Sequence, residues 1–174
     1  SMKIPERLND FRVYDSESQD MMGIADVTTP TITAMTETIS GAGFAGEIDS
    51  VVLGHVGSMT TVINWNAVTD KVASLAAPGK HSLDIRGAMQ HYDTGAGEVA
   101  IVPVRLYIEG QTKETNLGTF TKGQATGSST TIETTYLKLV IDGKEVVEID
   151  KYNYLYKVDG TDYLSEVRKA LGLA

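Results

Sequence analysis

Alternation of apolar and polar residues with a period of two dominates this chain and predicts a protein built mainly of β-strands. One face of a first predicted strand carries Leu83, Ile85, Gly87, Met89 and His91, and one face of the next carries Val102, Val104, Leu106 and Ile108. The turn sequence DTGAG at Asp93–Gly97 separates the two strands, which are therefore predicted to form a hairpin. Pro103 has no N–H, so we expect it at a sheet edge or a bulge.

A second hairpin is predicted nearer the carboxyl end. Apolar residues alternate through Leu137–Ile141 and again through Val147–Ile149, and an Asp142-Gly143 pair suited to a tight turn separates the two runs. The tyrosines of Tyr152–Tyr156 have the opposite parity from the returning strand. A one-residue slip moves every side chain to the other face of a sheet, so a bulge or break is predicted near Asp150–Lys151.

Weaker strand signals and two short helices complete the pattern. Residues with high β-propensity favour strands at Phe11–Tyr14, Met22–Thr28, Thr31–Ile39 and Ser58–Trp65. Thr69 or Asp70 is expected to cap a helix through Ala77, with Val72, Leu75 and Ala76 directed inward. A second helix is expected to begin at Thr161 or Asp162, with Leu164, Val167 and Leu171 on one face. The chain is thus predicted to be a single mainly β domain over residues 2–174, a β-barrel or sandwich with one or two short packed α-helices.

Charge and composition narrow the function classes. The formal net charge is −8, which disfavours a protein that grips nucleic acid, because such proteins neutralise phosphates with clustered lysine and arginine. Residues 1–60 hold nine of the acids but only three of the bases. The chain has no cysteine, which excludes disulfides and thiolate metal sites. Its longest apolar runs fall far short of the roughly 20 residues of a membrane span.

The motifs that suggest chemistry do not assemble into a site. Gly41–Gly46 reads GAGFAG and matches the glycine pattern of a dinucleotide loop, but the βαβ context of that loop is missing. The three histidines are scattered, and the acids near the Asp142-Gly143 turn lie on both faces of a strand. We therefore assign no catalytic residue, no cofactor-binding residue, no cofactor and no metal ligand.

The amino-acid sequence resembles those of the major tail tube proteins of contractile-tailed bacteriophages and of the related tubes of R-type tailocins. The most specific match lies within Thr134–Leu173, where the family shares YxxLxxDGKExxEID before a KVxGxD turn and a basic terminal helix. Further similar segments are Met2–Ser18, Gly23–Pro30, Ser40–Gly46, Asp93–Glu98 and Lys113–Gly123. Beside Gly110, where the family often has arginines, this chain has Glu109 and Gln111.

The resemblance implies a structural subunit of the inner tube of a contractile phage tail or tailocin, in hexameric rings stacked around an acidic lumen for DNA passage. The implied partners are further copies of the chain, the tail sheath protein around the tube, and the tape-measure protein and DNA inside it without specific binding. A membrane partner is not implied. The implied location is the virion tail, assembled in the bacterial host cytoplasm. The alternative is a small-molecule-binding β-barrel protein, or an enzyme built on such a barrel.

Two groups of residues follow as candidates for assembly. Acids in the Thr-rich amino-terminal third are expected at the lumen or at junctions between rings, and the candidates are Asp26, Glu37, Glu47 and Asp49. Five glycines fall within Ser40–Ser58, too many for a rigid core element, so this span is predicted to be an extended loop or hairpin that reaches a neighbouring subunit or the next ring. The loop candidates are Gly41, Gly43, Phe44 and Gly46.

Overall fold

The computed structural model describes residues 3–8, 10–40, 43 and 45–173 of the chain, and they form a mainly β structure. The strands are β1 Lys3–Leu8, β2 Phe11–Asp15, β3 Met21–Thr28, β4 Ala34–Ser40, β5 Glu47–Val56, β6 Thr60–Trp65, β7 Lys80–Asp93, β8 Glu98–Asn116, β9 Thr119–Thr121, β10 Gln124–Thr126, β11 Ser129–Ile141, β12 Lys144–Asp150, β13 Leu155–Val158 and β14 Thr161–Asp162. The helices are α1 Asp70–Ser74 and α2 Ser165–Ala170. The predicted fold class is confirmed.

Six antiparallel strands close into a barrel. The pairing runs from β7 through β2, β3, β6 and β11 to β8, and β8 pairs with β7 again. β7 and β11 are longer than the barrel requires, so β1 adds to the distal half of β7, and β12, β13 and β14 continue the sheet from the distal half of β11. Closure leaves none of the six strands with a fully free edge, which protects them from unspecific pairing.

The barrel interior is filled by the apolar halves of the alternating strands. Val13, Ile63, Leu83, Ile85 and Ile132 are fully buried there. α1 packs on the same cluster through its inward residues Val72 and Leu75. Fully burying an aliphatic side chain contributes roughly 1.5–3 kcal/mol each, so this interior stabilises the fold. It also occupies the volume that a ligand inside the barrel would need.

The two predicted hairpins are present. β7 pairs with β8 in the register Leu83↔Ile108, and all four predicted inward residues of β8 are buried. Pro103 lies one residue beyond the last β8–β11 pair, Val104↔Ile141, so its missing N–H faces the point where β11 ends. Asp142 and Gly143 both have positive φ, 52° and 76°, as the predicted two-residue turn requires.

The strand is interrupted after Asp150, as the parity of the tyrosines predicted. The two helices are shorter than expected. β12 ends at Asp150, and Tyr154 has a φ of 51° in the connection to β13. α1 ends at Ser74, and Ala76, predicted to face inward, is exposed. α2 begins only at Ser165 because the preceding residues pair with β13 as β14, and Leu171 of its predicted apolar face is 53% exposed.

Candidate assembly surfaces

A hairpin of β4 and β5 forms a two-stranded sheet apart from the barrel sheet. The span predicted as an extended loop or hairpin is therefore a hairpin, and its second strand, Glu47–Val56, was not predicted as one. Gly43 and Gly46 have φ values of 104° and 102° and form part of its turn. The loop candidates Gly41 and Phe44 lie outside the described residues.

The two faces of this hairpin differ in polarity. One face carries the pairs Ser40↔Glu47 and Thr38↔Asp49, and the Thr38 hydroxyl donates to the Asp49 carboxylate at 3.2 Å. The other face carries Glu37↔Ser50 and Ile39↔Ile48. All of these residues except the half-buried Ser50 are exposed in the single chain.

Apolar side chains on the hairpin are also uncovered. Ile48 is 53% exposed, and Val51 and Leu53 are 64% and 65% exposed. A two-stranded hairpin is marginally stable by itself in water, and here apolar side chains remain exposed on both of its faces. The hairpin therefore has the properties of an arm that another surface covers.

The base of the hairpin is anchored on the carboxyl-terminal segment. A Cβ on Gly54 would lie 3.3 Å from the Leu164 side chain, so the backbone approaches that residue closely. The Gly57 N–H donates to the Thr33 carbonyl at 2.7 Å, and the Lys151 ammonium donates to the Gly57 carbonyl at 2.7 Å. These contacts fix where the arm leaves the body of the protein.

Polar side chains cover the outer side of four adjacent barrel strands, and we call this surface the polar face. Its outward positions are Asp26 and Thr28 on β3; Thr60, Val62 and Asn64 on β6; Ser129, Thr131 and Glu133 on β11; and Gln111, Glu114 and Asn116 on β8. The intervening side chains, such as Thr61, Ile63 and Ile132, are fully buried. Short hydroxyl and amide side chains make this face hydrated but only weakly charged.

Carboxylates outnumber ammonium groups on the polar face. Asp26 and Glu114 are exposed, and no ion pair involves either of them among the described residues. Glu133 accepts hydrogen bonds from Ser58 and lies 3.6 Å from the ammonium of Lys113. The sequence reasoning found Asp26 but missed Glu114 and Glu133, whose shared face depends on long-range strand pairing.

A different part of the outer barrel surface is basic and aromatic. Arg12 on β2, Arg86 on β7 and Arg105 on β8 are direct cross-strand neighbours, and we call them the arginine row. Arg86 lies over the Tyr14 ring at 4.6 Å and Arg105 over the Tyr107 ring at 4.9 Å. These cation–π contacts hold the guanidinium groups against the sheet.

Asp84 is the acid at the centre of the arginine row. Its side chain is only 4% exposed, and its Oδ2 atom accepts from Arg86 at 2.8 Å and from Arg105 at 2.7 Å. Burial alone would raise the pKa of Asp84, but the hydrogen bonds from Arg105 and Arg86 outweigh burial and hold the pKa below its usual value. Asp84 therefore stays ionised and satisfies two of the three guanidinium groups.

The four acid candidates do not form one cluster. Glu47 and Asp49 share one face of the hairpin, Glu37 lies on the opposite face, and Asp26 lies on the barrel. All four are exposed. The structure thus divides them between two surfaces, the polar face and the arm.

Features of other function classes were also sought in the described part of the chain. No group of three or more His, Cys, Asp or Glu side chains there could hold a metal ion. No helix in that part is long and apolar enough to cross a membrane. At Tyr136, burial and a hydrogen bond to Glu148 raise the pKa and keep the phenol neutral.

Comparison with known proteins agrees with this description. The family described as phage tail tube protein FII matches residues 5–172. The chain is 32% identical to the tail tube protein of Escherichia phage P2, over 99% of this chain and 100% of that protein. It is 29% identical to the major tail tube protein of Serratia phage KSP20, over 99% of each chain. The predicted resemblance is confirmed, and the chain belongs to the phage tail tube protein FII family, whose members are structural proteins of the virion tail and not enzymes.

Proposed function

We propose that this chain forms hexameric rings that stack into the inner tube of a contractile tail, with the polar face lining the lumen. The observation that carries the proposal is that face itself, a hydrated wall four strands wide on a protein of the tail tube family. Its free carboxylates, Asp26 and Glu114, repel the phosphates of DNA. Duplex DNA carries one charge per roughly 1.7 Å, so a basic wall would hold it through many contacts, whereas an acidic wall lets it slide.

The same wall suits the tape-measure protein, which fills the lumen before DNA passes. Short polar side chains offer few apolar contacts, so neither occupant is bound specifically. The sheath protein surrounds the tube on its outer side. Assembly takes place in the cytoplasm of the bacterial host, from subunits of one domain, and the product is part of a phage, prophage or tailocin tail.

The hairpin of β4 and β5 supplies the contact between subunits. Its exposed apolar residues and the acids Glu37, Glu47 and Asp49 become covered when a neighbouring copy or the next ring packs on it. Gly43 and Gly46 shape the tip that makes this reach.

Negative-stain electron microscopy of the concentrated protein tests the proposal. We expect rings with six-fold symmetry, and stacks of them as the concentration rises. Analytical ultracentrifugation over the same range should show a species of six subunits or more. A monomer at every concentration, with no rings on addition of preformed tail tube ends, would contradict the proposed function.

A further inference from the structure

We propose that the arginine row is the docking site for the acidic face of the β4–β5 hairpin of a second copy of this chain, with Glu47 and Asp49 as the docking carboxylates. The inference rests on the proposed function and specifies which two surfaces meet when subunits assemble.

The arginine row has more positive charge than its own chain neutralises. Like charges placed directly opposite each other on neighbouring strands repel, and here three arginines stand side by side. Asp84 pairs with Arg86 and Arg105 through a single oxygen. Within the described residues, Arg12 donates only to the Met21 sulfur, at 3.9 Å, and forms no ion pair. The row therefore has an unused cation at its end.

The buried atoms of this cluster also lack partners. The Nε atom of Arg105 is a donor without a hydrogen-bond partner among the described residues. The second carboxylate oxygen of Asp84 also has none there, but it is an acceptor and would need a donor. An incoming carboxylate would accept from the free guanidinium donors of the row. Charge-assisted bonds between guanidinium and carboxylate groups are short and directional, and they are frequently bidentate.

The hairpin offers carboxylates with a matching spacing. Glu47 and Asp49 are two positions apart on one strand and point to the same side, so their Cα atoms are about 7 Å apart. Neighbouring strands lie about 4.8 Å apart, so the arginine row spans about 10 Å from Arg12 to Arg105. A strand lying across the row therefore brings both acids within reach of the long arginine side chains.

The surface beside the arginine row can receive a strand. An open depression of about 620 Å³ is lined by Arg12, Tyr14, Ile24 and Arg86, with Asp10 at the same site. Ile24 and the Tyr14 ring provide apolar surface for the uncovered aliphatic residues of the arm. Asp10 and, at the diagonal position on β3, Asp26 place two further carboxylates beside Arg12, but neither forms an ion pair with it among the described residues.

The contact joins two different surfaces of identical chains. Such a heterologous interface is not closed by one pair of subunits, and it generates rings or filaments in which every copy both gives and receives. A tube is built from that type of contact. The arginine row and the arm would therefore determine the direction in which subunits add.

Charge reversal and charge exchange test the inference. We expect the critical concentration for tube assembly to rise at least roughly tenfold in Arg12→Glu, and equally in a double variant Glu47→Lys/Asp49→Lys. Combining Arg12→Glu with a single reversal, Glu47→Lys or Asp49→Lys, should restore assembly near the unmodified concentration for the acid that meets Arg12, because one exchanged cation then faces one exchanged carboxylate while the other acid still faces Arg86 and Arg105. Lys144→Glu, which reverses a cation 71% exposed at the β11–β12 turn, is the matched control and should assemble normally.

The outcomes separate this inference from the proposed function. Thermal melting of every variant establishes that it folds. If the unmodified protein forms no rings or tubes, the proposed function itself fails. If it does form tubes, and Arg12→Glu assembles at the unmodified concentration or neither exchanged pair is rescued, the inference alone is overturned. Loss without rescue would mean that the row contacts a part of the neighbouring copy other than Glu47 and Asp49.

Discussion

Asp84 stabilises the outer barrel surface because it is ionised, nearly buried and bonded to two arginines. We expect Asp84→Asn to lower the free energy of unfolding by about 1–3 kcal/mol at neutral pH, since Arg86 and Arg105 lose their anionic acceptor in a partly exposed setting. Urea unfolding followed by circular dichroism measures the loss. Asp10 is exposed on the same surface, so the control variant Asp10→Asn should change the free energy of unfolding little.

The pH dependence of that difference has a definite sign. The pKa of Asp84 is lower in the folded than in the unfolded chain, so its contribution is fully present above the unfolded value, near 3.8. It is lost as the pH falls through the folded value. The gap between the unmodified protein and Asp84→Asn should therefore close as the pH falls below 4. A gap of constant size down to pH 2 would contradict the ion-pair explanation.

Side-chain direction at this surface could be predicted, but burial could not. Along β7, Asp84 and Arg86 alternate with the buried residues Leu83 and Ile85, as a period of two requires. The partner Arg105 is identified only once the register of the hairpin is known, and that register depends on the turn between β7 and β8. From the sequence alone, a charged residue on the polar side of a strand is predicted to be exposed to solvent. Its burial can be predicted only when the neighbouring strand is known to place an opposite charge beside it.

At the scale of elements, long alternating segments were predictable and the arm was only partly so. The β7–β8 hairpin has one buried face along most of its length, and its sequence shows that face directly. The hairpin of β4 and β5 has no strongly buried face, and Gly54 interrupts it with a φ of 87°. The glycines of this span predicted a loop or hairpin. The β-branched residues of β5 are compatible with a strand, but their propensity alone did not predict one there.

The arm is expected to serve assembly and not the fold. Replacing residues 39–48 with Asn-Gly would join Thr38 to Asp49, a directly paired position, through a two-residue turn. We expect the melting temperature to stay within a few degrees, because the described strand residues that are removed, Ile39, Ser40, Glu47 and Ile48, pair only with each other, and we expect tube growth to be lost. Electron microscopy and calorimetry measure the two effects. Tubes of normal length from this variant, or a collapse of the melting temperature, would contradict the assignment.

At the scale of the whole molecule, barrel closure lay beyond local patterns. The pairings of β3 with β6 and of β6 with β11 join segments far apart in sequence. Together with the pairing of β11 with β8 they bring Asp26, Glu114 and Glu133 to one surface. The family resemblance implied a tube with an acidic lumen, but it did not identify which face of the subunit barrel would line that lumen. The uneven charge along the sequence suggested that the lumen acids come from the amino-terminal third, whereas the polar face contains residues from both halves of the chain.

Charge reversal on the polar face tests the lumen assignment in a complete phage. Asp26→Lys with Glu114→Lys would place two cations per subunit along the proposed wall, and phosphates would then be held at every ring. We expect tails of normal length but slower DNA ejection, because neither acid forms an ion pair among the described residues. Single-particle ejection measurements give the rate, and Asp159→Lys with Glu166→Lys, at other exposed positions, should leave it unchanged. Ejection at the normal rate from this variant would mean that the polar face does not line the channel.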